Sequence, residues 1–141
     1  MSDDRDVRGA PAAQALRSQM TANVFLPGDA RYEAARRIWN GAVATRPALT
    51  AMCETREDVQ SSVRAARTYR LPLSVRGGGH DWVGQALRDG GLVVDLTRTC
   101  AVHVDTSAQI ATVRGGATAG DAVSAAAATG LAPVVGHERW R

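Results

Sequence analysis

Hydrophobic and polar positions alternate along this chain in blocks of two kinds. Short continuous apolar runs read as strands, and runs with apolar residues every three or four positions read as helices. Apolar order begins at Val24-Phe25-Leu26 and breaks at the turn Pro27-Gly28-Asp29. Asp29 is a candidate N-cap for a short helix in which Tyr32, Ala35, Ile38 and Trp39 recur at helical spacing, and Asn40-Gly41 closes it. Residues 48–53 predict a buried strand. Thr55 then caps a helix with Glu57 and Asp58 in its first turn and Val59, Val63 and Ala66 along one face, while Arg56, Arg64, Arg67 and Arg70 decorate the others. Leu73 to Val75 predicts a second strand and Leu92 to Leu96 a third, separated by the turn Gly90-Gly91. Val102-His103-Val104 and residues 109–113 flank Asp105-Thr106-Ser107-Ala108, a hairpin signature. A last helix opens at Thr118 or Gly120, carries Ala119, Ala122, Val123, Ala126 and Ala127, and ends at Gly130. Residues 131–141 have the composition of a loop. Residues 1–22 are polar and alanine-rich without a sustained apolar stripe and read as a flexible tail. The expected class is α+β with a mixed sheet, organised as a tail over 1–22 and one domain over 23–141.

Composition removes several function classes. The 141 residues are one domain's worth of chain. The 17 basic residues are all arginine, against 14 acidic ones. Without lysine there is neither a Schiff-base lysine nor a Walker-type phosphate lysine. The arginines form no block and no patch interleaved with aromatics, so they read as a solvated surface and nucleic acid is not an expected partner. Cys53 and Cys100 are far apart with no CxxC spacing, which excludes a disulfide framework and a zinc site; no metal is expected. The mixed-charge N-terminus lacks the apolar core of a secretory signal, and no run approaches membrane-spanning length, so the chain reads as cytoplasmic with no membrane partner.

The chemistry concentrates in Arg76-Gly77-Gly78-Gly79-His80, directly after a predicted strand. Consecutive glycines let backbone amides converge on an anion and let a ligand approach the main chain. An arginine at one end could compensate charge, and a histidine at the other is a nucleophile. The strand-helix-strand order before it is βαβ-like, and ligands prefer the carboxyl ends of strands in such units. The dinucleotide fingerprint fails, because its last glycine falls on Trp82. The Walker pattern fails too: Gly79 and Gly84 have its spacing, but Gln85 and Ala86 stand at the lysine and hydroxyl positions. On composition alone the loop reads equally as a phosphate loop or as a glycine-rich turn with an incidental histidine.

Residues 76–80, with Gly84 following, resemble the pyrophosphate loop of the FAD-linked oxidases of the vanillyl-alcohol-oxidase/p-cresol-methylhydroxylase superfamily, in particular the berberine-bridge-enzyme-like branch. Residues 32–40, 47–49, 57–59 and 91–96 resemble that family's opening helix, first strand, next helix and following strand. Residues 115–121 and 130–132 resemble its later flavin-contacting turn and helix. The resemblance covers about residues 23–136 in the right order. It implies a PCMH-type FAD-binding domain: an N-terminal βαβ-like subdomain plus part of a second, mixed-sheet subdomain. FAD is the implied cofactor, with Arg76, Gly77, Gly78, Gly79, His80, Gly84, Gly115, Gly116, Ala117, Thr118 and Gly136 about it. His80 stands where family members commonly bond the flavin 8α carbon; some carry the histidine without the bond, so the motif supports FAD binding more strongly than covalency. Bicovalent members use a cysteine near Val134-Val135-Gly136-His137-Glu138, where this chain has none, so a second link is not expected. His103, between valines, reads as a sheet-face residue, and His137 as a loop residue near the flavin ring.

The family continues with a substrate domain that supplies a catalytic base. None can be named here, and the chain is expected to be a truncated form. Two functions follow from the resemblance: the FAD-binding portion of an oxidoreductase that passes hydride from a small-molecule substrate C–H to flavin and then to oxygen, or a non-catalytic fragment that holds flavin or phosphate without turnover.

Overall fold

The computed structural model describes residues 4–20 and 23–135. Gly136 and His137 lie outside the described residues. Ten elements follow in order: α1 (Asp4–Arg17), β1 (Val24–Phe25), α2 (Tyr32–Ala35), β2 (Leu49–Met52), α3 (Arg56–Thr68), β3 (Leu73–Arg76), β4 (Leu92–Asp95), β5 (Val102–Asp105), β6 (Ile110–Val113) and α4 (Ala119–Ala127). Helices and strands mix, and so do strand directions, as expected. A four-stranded sheet runs in the order β1-β2-β4-β3, and β5 and β6 pair as a separate antiparallel ribbon. β2 and β3 both pair parallel with β4, which lies between them, while β1 is antiparallel to β2. The βαβ-like unit is therefore real, but its two strands are not neighbours. A third strand from later in the chain fills the gap.

β4 is buried on both faces, as its unbroken apolar run requires. Leu49, Ala51, Leu92 and Val94 face a core shared with Ala12, Ala13, Leu16, Ala65 and Ala66 of α1 and α3. On the opposite face, Val93 packs on Ile38 and Leu87, and Met52 lies against Phe25, Tyr32 and Ala35. Tyr32 donates its hydroxyl to the Pro47 carbonyl at 2.6 Å, which pins α2 to the start of β2.

Three local expectations change. Residues from Asp4 to Arg17 form a helix rather than a tail, with Ala12, Ala13 and Leu16 fully buried. Burying Leu16 alone contributes about 1.5–3 kcal/mol. The stripe is Gly9, Ala12, Ala13, Leu16: at Gly9 a Cβ would lie 3.2 Å from the Ala48 Cβ, so the helix docks through residues too small to mark an apolar face. The helix after Asp29 is a single turn. Asp29 does not cap it; its carboxylate accepts from the Leu26 amide and the Arg17 guanidinium. On α3, Val63 is exposed and the inner face is Asp58, Ser61, Ser62, Ala65 and Ala66. Its Thr55 cap is as expected, reciprocated by Asp58 in a capping box.

The carboxyl ends of β2, β4 and β3 are Met52, Asp95 and Arg76, aligned by register at one edge of the sheet. The glycine loop leaves from that edge. No helix among the described residues is long and apolar enough to cross a membrane.

Candidate cofactor site

Strand β3 delivers the loop and β4 holds it. The Leu96 amide donates to the Arg76 carbonyl at 2.8 Å, continuing the parallel ladder to the last residue before Gly77. Beyond that point the amides of Gly77, Gly78 and Gly79 have no acceptor among the described residues. Three successive unpartnered donors at the carboxyl edge of a parallel sheet form a concavity suited to an anion.

The second glycine turn, 38 positions further on from Gly77 to Gly115, lies against the first. A Cβ on Gly77 would stand 2.6 Å from the Gly115 carbonyl oxygen, and one on Gly116 would stand 1.6 Å from that of Leu96. Backbone therefore packs on backbone at both places, which no side chain permits. The Gly116 amide donates to Thr99 and the Ala117 amide to Arg114, so these two close the turn rather than face the opening. Thr118 sits beside Gly78, its methyl 3.9 Å from where a Cβ would be, and is the N-cap of α4. The positive end of α4 thus borders the glycine loop. Thr118 and Asp121 form a capping box, with the Thr118 hydroxyl 2.8 Å from the Asp121 carboxylate. The Thr118 amide and hydroxyl, in that order, hold the Asp121 carboxyl below its ordinary range. That carboxylate offsets part of the helix charge, so the glycine amides are the stronger anion donors of the two.

Arg76, expected on the pyrophosphate, is turned inward. Its Nη1 donates to the Ala35 carbonyl and pairs with the Asp95 carboxylate at 3.3 Å. Asp95 is buried and also accepts from the Thr97 amide at 2.8 Å and hydroxyl at 2.6 Å. Arg76 therefore braces the root of the loop against α2 and β4. Gly84 is likewise away from the opening: it has φ +83 and packs on Val43. It belongs to a turn organised by Asp81, whose carboxylate collects the Val83 and Ala86 amides.

His80 is exposed at the rim of the loop and stacks on Trp39, with ring centroids 4.9 Å apart and planes 26° from parallel. Trp39 is the residue that the helical reading missed. Ile38, its neighbour in sequence, is buried while Trp39 is exposed, and helical spacing alone does not tell the two apart. His103 is exposed on β5 opposite Thr112, remote in character from any ligand cluster. Among the described residues no group of His, Cys, Asp and Glu could hold a metal ion.

Two glycine turns brought together, with free amides on one side and a helix N-terminus on the other, suit the pyrophosphate of a dinucleotide cofactor. The family model described as the FAD binding domain matches residues 47–138. The chain belongs to the FAD-binding domain family. It is 43% identical over 113 residues to (R)-6-hydroxynicotine oxidase of Paenarthrobacter nicotinovorans, covering 80% of this chain and 25% of that protein. It is 34% identical over 126 residues to the FAD-linked oxidoreductase hasG of Aspergillus fumigatus, covering 89% and 27%. Among solved structures, 6-hydroxy-D-nicotine oxidase of Arthrobacter nicotinovorans superposes with a TM-score of 0.79 at 42% identity, over 83% of this chain and 26% of that one. A berberine-bridge-like enzyme of Physcomitrella patens gives 0.68 at 30% identity, over 72% and 22%. The chain spans about a quarter of the length of the curated relatives it matches. The residues present fit FAD: the free amides of Gly77 to Gly79 would take its pyrophosphate, and His80 lies at the rim.

Proposed function

We propose that this FAD-binding domain serves an oxidoreductase that takes hydride from a C–H bond of a small-molecule substrate and passes the electrons to oxygen. The observation that carries this reading is the apposition of Gly77–Gly79 to Gly115–Thr118, with His80 at the edge of the cleft between them. Bound FAD supplies the two-electron acceptor. Gly77, Gly78 and Gly79 hold its pyrophosphate through their amides, Arg76 and Asp95 keep the loop's root rigid, and α4 adds its positive end. No residue of this chain is assigned as the catalytic base.

His80 is the proposed attachment point. Its imidazole nitrogen would be the nucleophile for a covalent link to the flavin, and the bound flavin would itself supply the two-electron acceptor that such a link needs.

The test is to incubate the chain with FAD and record its intact mass after denaturation. An FAD-sized adduct present in the native sequence and absent in His80→Ala supports the attachment. Failure of the native chain to retain any flavin before denaturation would overturn cofactor binding by this domain.

A second reading rests on the same unpartnered amides of Gly77 to Gly79: a module that holds flavin or phosphate and turns nothing over. Oxygen consumption with a panel of sugars and alkaloid-like amines separates the two, since sustained turnover excludes the second.

A further inference from the structure

We propose that Trp39 is a positioning residue for His80, holding the imidazole in one plane at the rim of the glycine loop. This rests on His80 being the group presented to the cofactor, and it assigns a role to a segment outside that loop. Trp39 is 65% exposed although it is a large aromatic side chain. Its indole instead covers one face of the imidazole.

The backbone around it is built to keep it there. Ile38 is anchored on Leu87 and Val93, and this forces the next side chain outward. The Trp39 amide donates to the Gly79 carbonyl at 2.9 Å, immediately before His80. The Asn40 side-chain amide donates to the Trp82 carbonyl at 2.7 Å, two residues after it. Residues 38–40 therefore grip the loop on both sides of the histidine. Gly79 has φ +69, and Ile38 Cγ2 lies 3.5 Å from where its Cβ would be, so glycine is needed to make this grip.

Stacking on the indole restricts the orientation of the imidazole and shields one face of the ring. An offset aromatic pair of this kind biases the stacked arrangement about three- to tenfold. Small misplacement of a reacting group can cost more than that in rate.

The experiment uses Trp39→Ala and Trp39→Phe in the full chain, each also combined with His80→Ala. In the first arm, performed without FAD, diethyl pyrocarbonate modification of His80 is followed by peptide mass. Trp39→Ala should be labelled about three- to tenfold faster than the native chain, and Trp39→Phe close to the native rate. In the second arm the rate of FAD adduct formation is measured beside non-covalent FAD retention in the His80→Ala background. Trp39→Ala should slow the adduct about tenfold with retention unchanged, and Trp39→Phe should restore it. Native-rate labelling of His80 in Trp39→Ala overturns the proposal. So does a loss of non-covalent retention as large as the loss of adduct, which would make Trp39 a flavin contact instead. If the native chain forms no adduct yet the labelling arm behaves as described, the attachment reading has failed while the positioning of His80 by Trp39 stands.

Discussion

Removing the Asp95 carboxylate tests whether the root of the glycine loop is held by charge. Asp95 has 1% and Arg76 15% of its side chain exposed, so neither charge is screened well by water. In Asp95→Ala, Arg76 keeps the Ala35 carbonyl as an acceptor and loses its counter-charge, and its Nε already lacks a partner. Breaking a buried pair by deleting one member costs about 3–5 kcal/mol, mostly the penalty of the charge left behind. The whole domain has a stability on the order of 5–15 kcal/mol, so about a fifth of it or more is at stake. Asp95→Asn keeps an acceptor for Thr97 but strips Arg76 of its counter-charge just as alanine does, so it should cost nearly as much, about 3 kcal/mol. The assay is urea unfolding followed by tryptophan fluorescence, with the midpoint falling and the slope unchanged. The double variant Asp95→Ala with Arg76→Met removes both charges and should recover much of the loss, so the two single effects will not add. A loss below about 1 kcal/mol in Asp95→Ala, or strict additivity in the cycle, would refute the account.

Other outcomes follow from single residues. The Thr50 hydroxyl is buried without a hydrogen-bond partner, so Thr50→Val should raise stability by about 1 kcal/mol in the same urea assay; destabilisation would contradict this. Cys53 is buried and its thiol is pushed up to about 11 by desolvation, whereas Cys100 is exposed, so Ellman's reagent at mildly alkaline pH should titrate Cys100 in the native chain and both thiols only in denaturant. Asp121 is held below its ordinary value of 3.8 by the Thr118 amide and hydroxyl, so its folded state favours the carboxylate. That contribution is present above the ordinary value and is lost as pH falls through the lower folded one. The stability gap between the native chain and Asp121→Asn should accordingly narrow from about pH 5 to about pH 3, and a constant gap would argue against the cap.

Features that depend on a few neighbouring residues were legible in the sequence. The Thr55 cap needs Asp58 three positions on, and the hairpin needs Asp105 to collect the Ser107 and Ala108 amides at its turn. Gly130, with φ +76, lies in the turn that follows α4, three residues past its end. The run 92–96 read as a strand, and residues 92–95 of it form β4. The glycine triplet after a strand, and its ordered likeness to a flavin-binding family, pointed to the cofactor before any coordinate did.

What joins distant residues was not legible, because it leaves little mark on either partner alone. Nothing local says that β4 inserts between β2 and β3, or that Gly77 rests on the Gly115 backbone. Arg76 looked like a ligand-binding arginine because its counter-charge is 19 positions away on a strand that reads as apolar. The first helix was taken for a tail because glycine and alanine pack closely through the absence of side chain, which carries no periodic signal. Trp39 shows the same limit at the site itself: sequence marks it as one more helical aromatic. Only the folded chain, by burying Ile38 and turning the next residue outward, brings its ring onto His80.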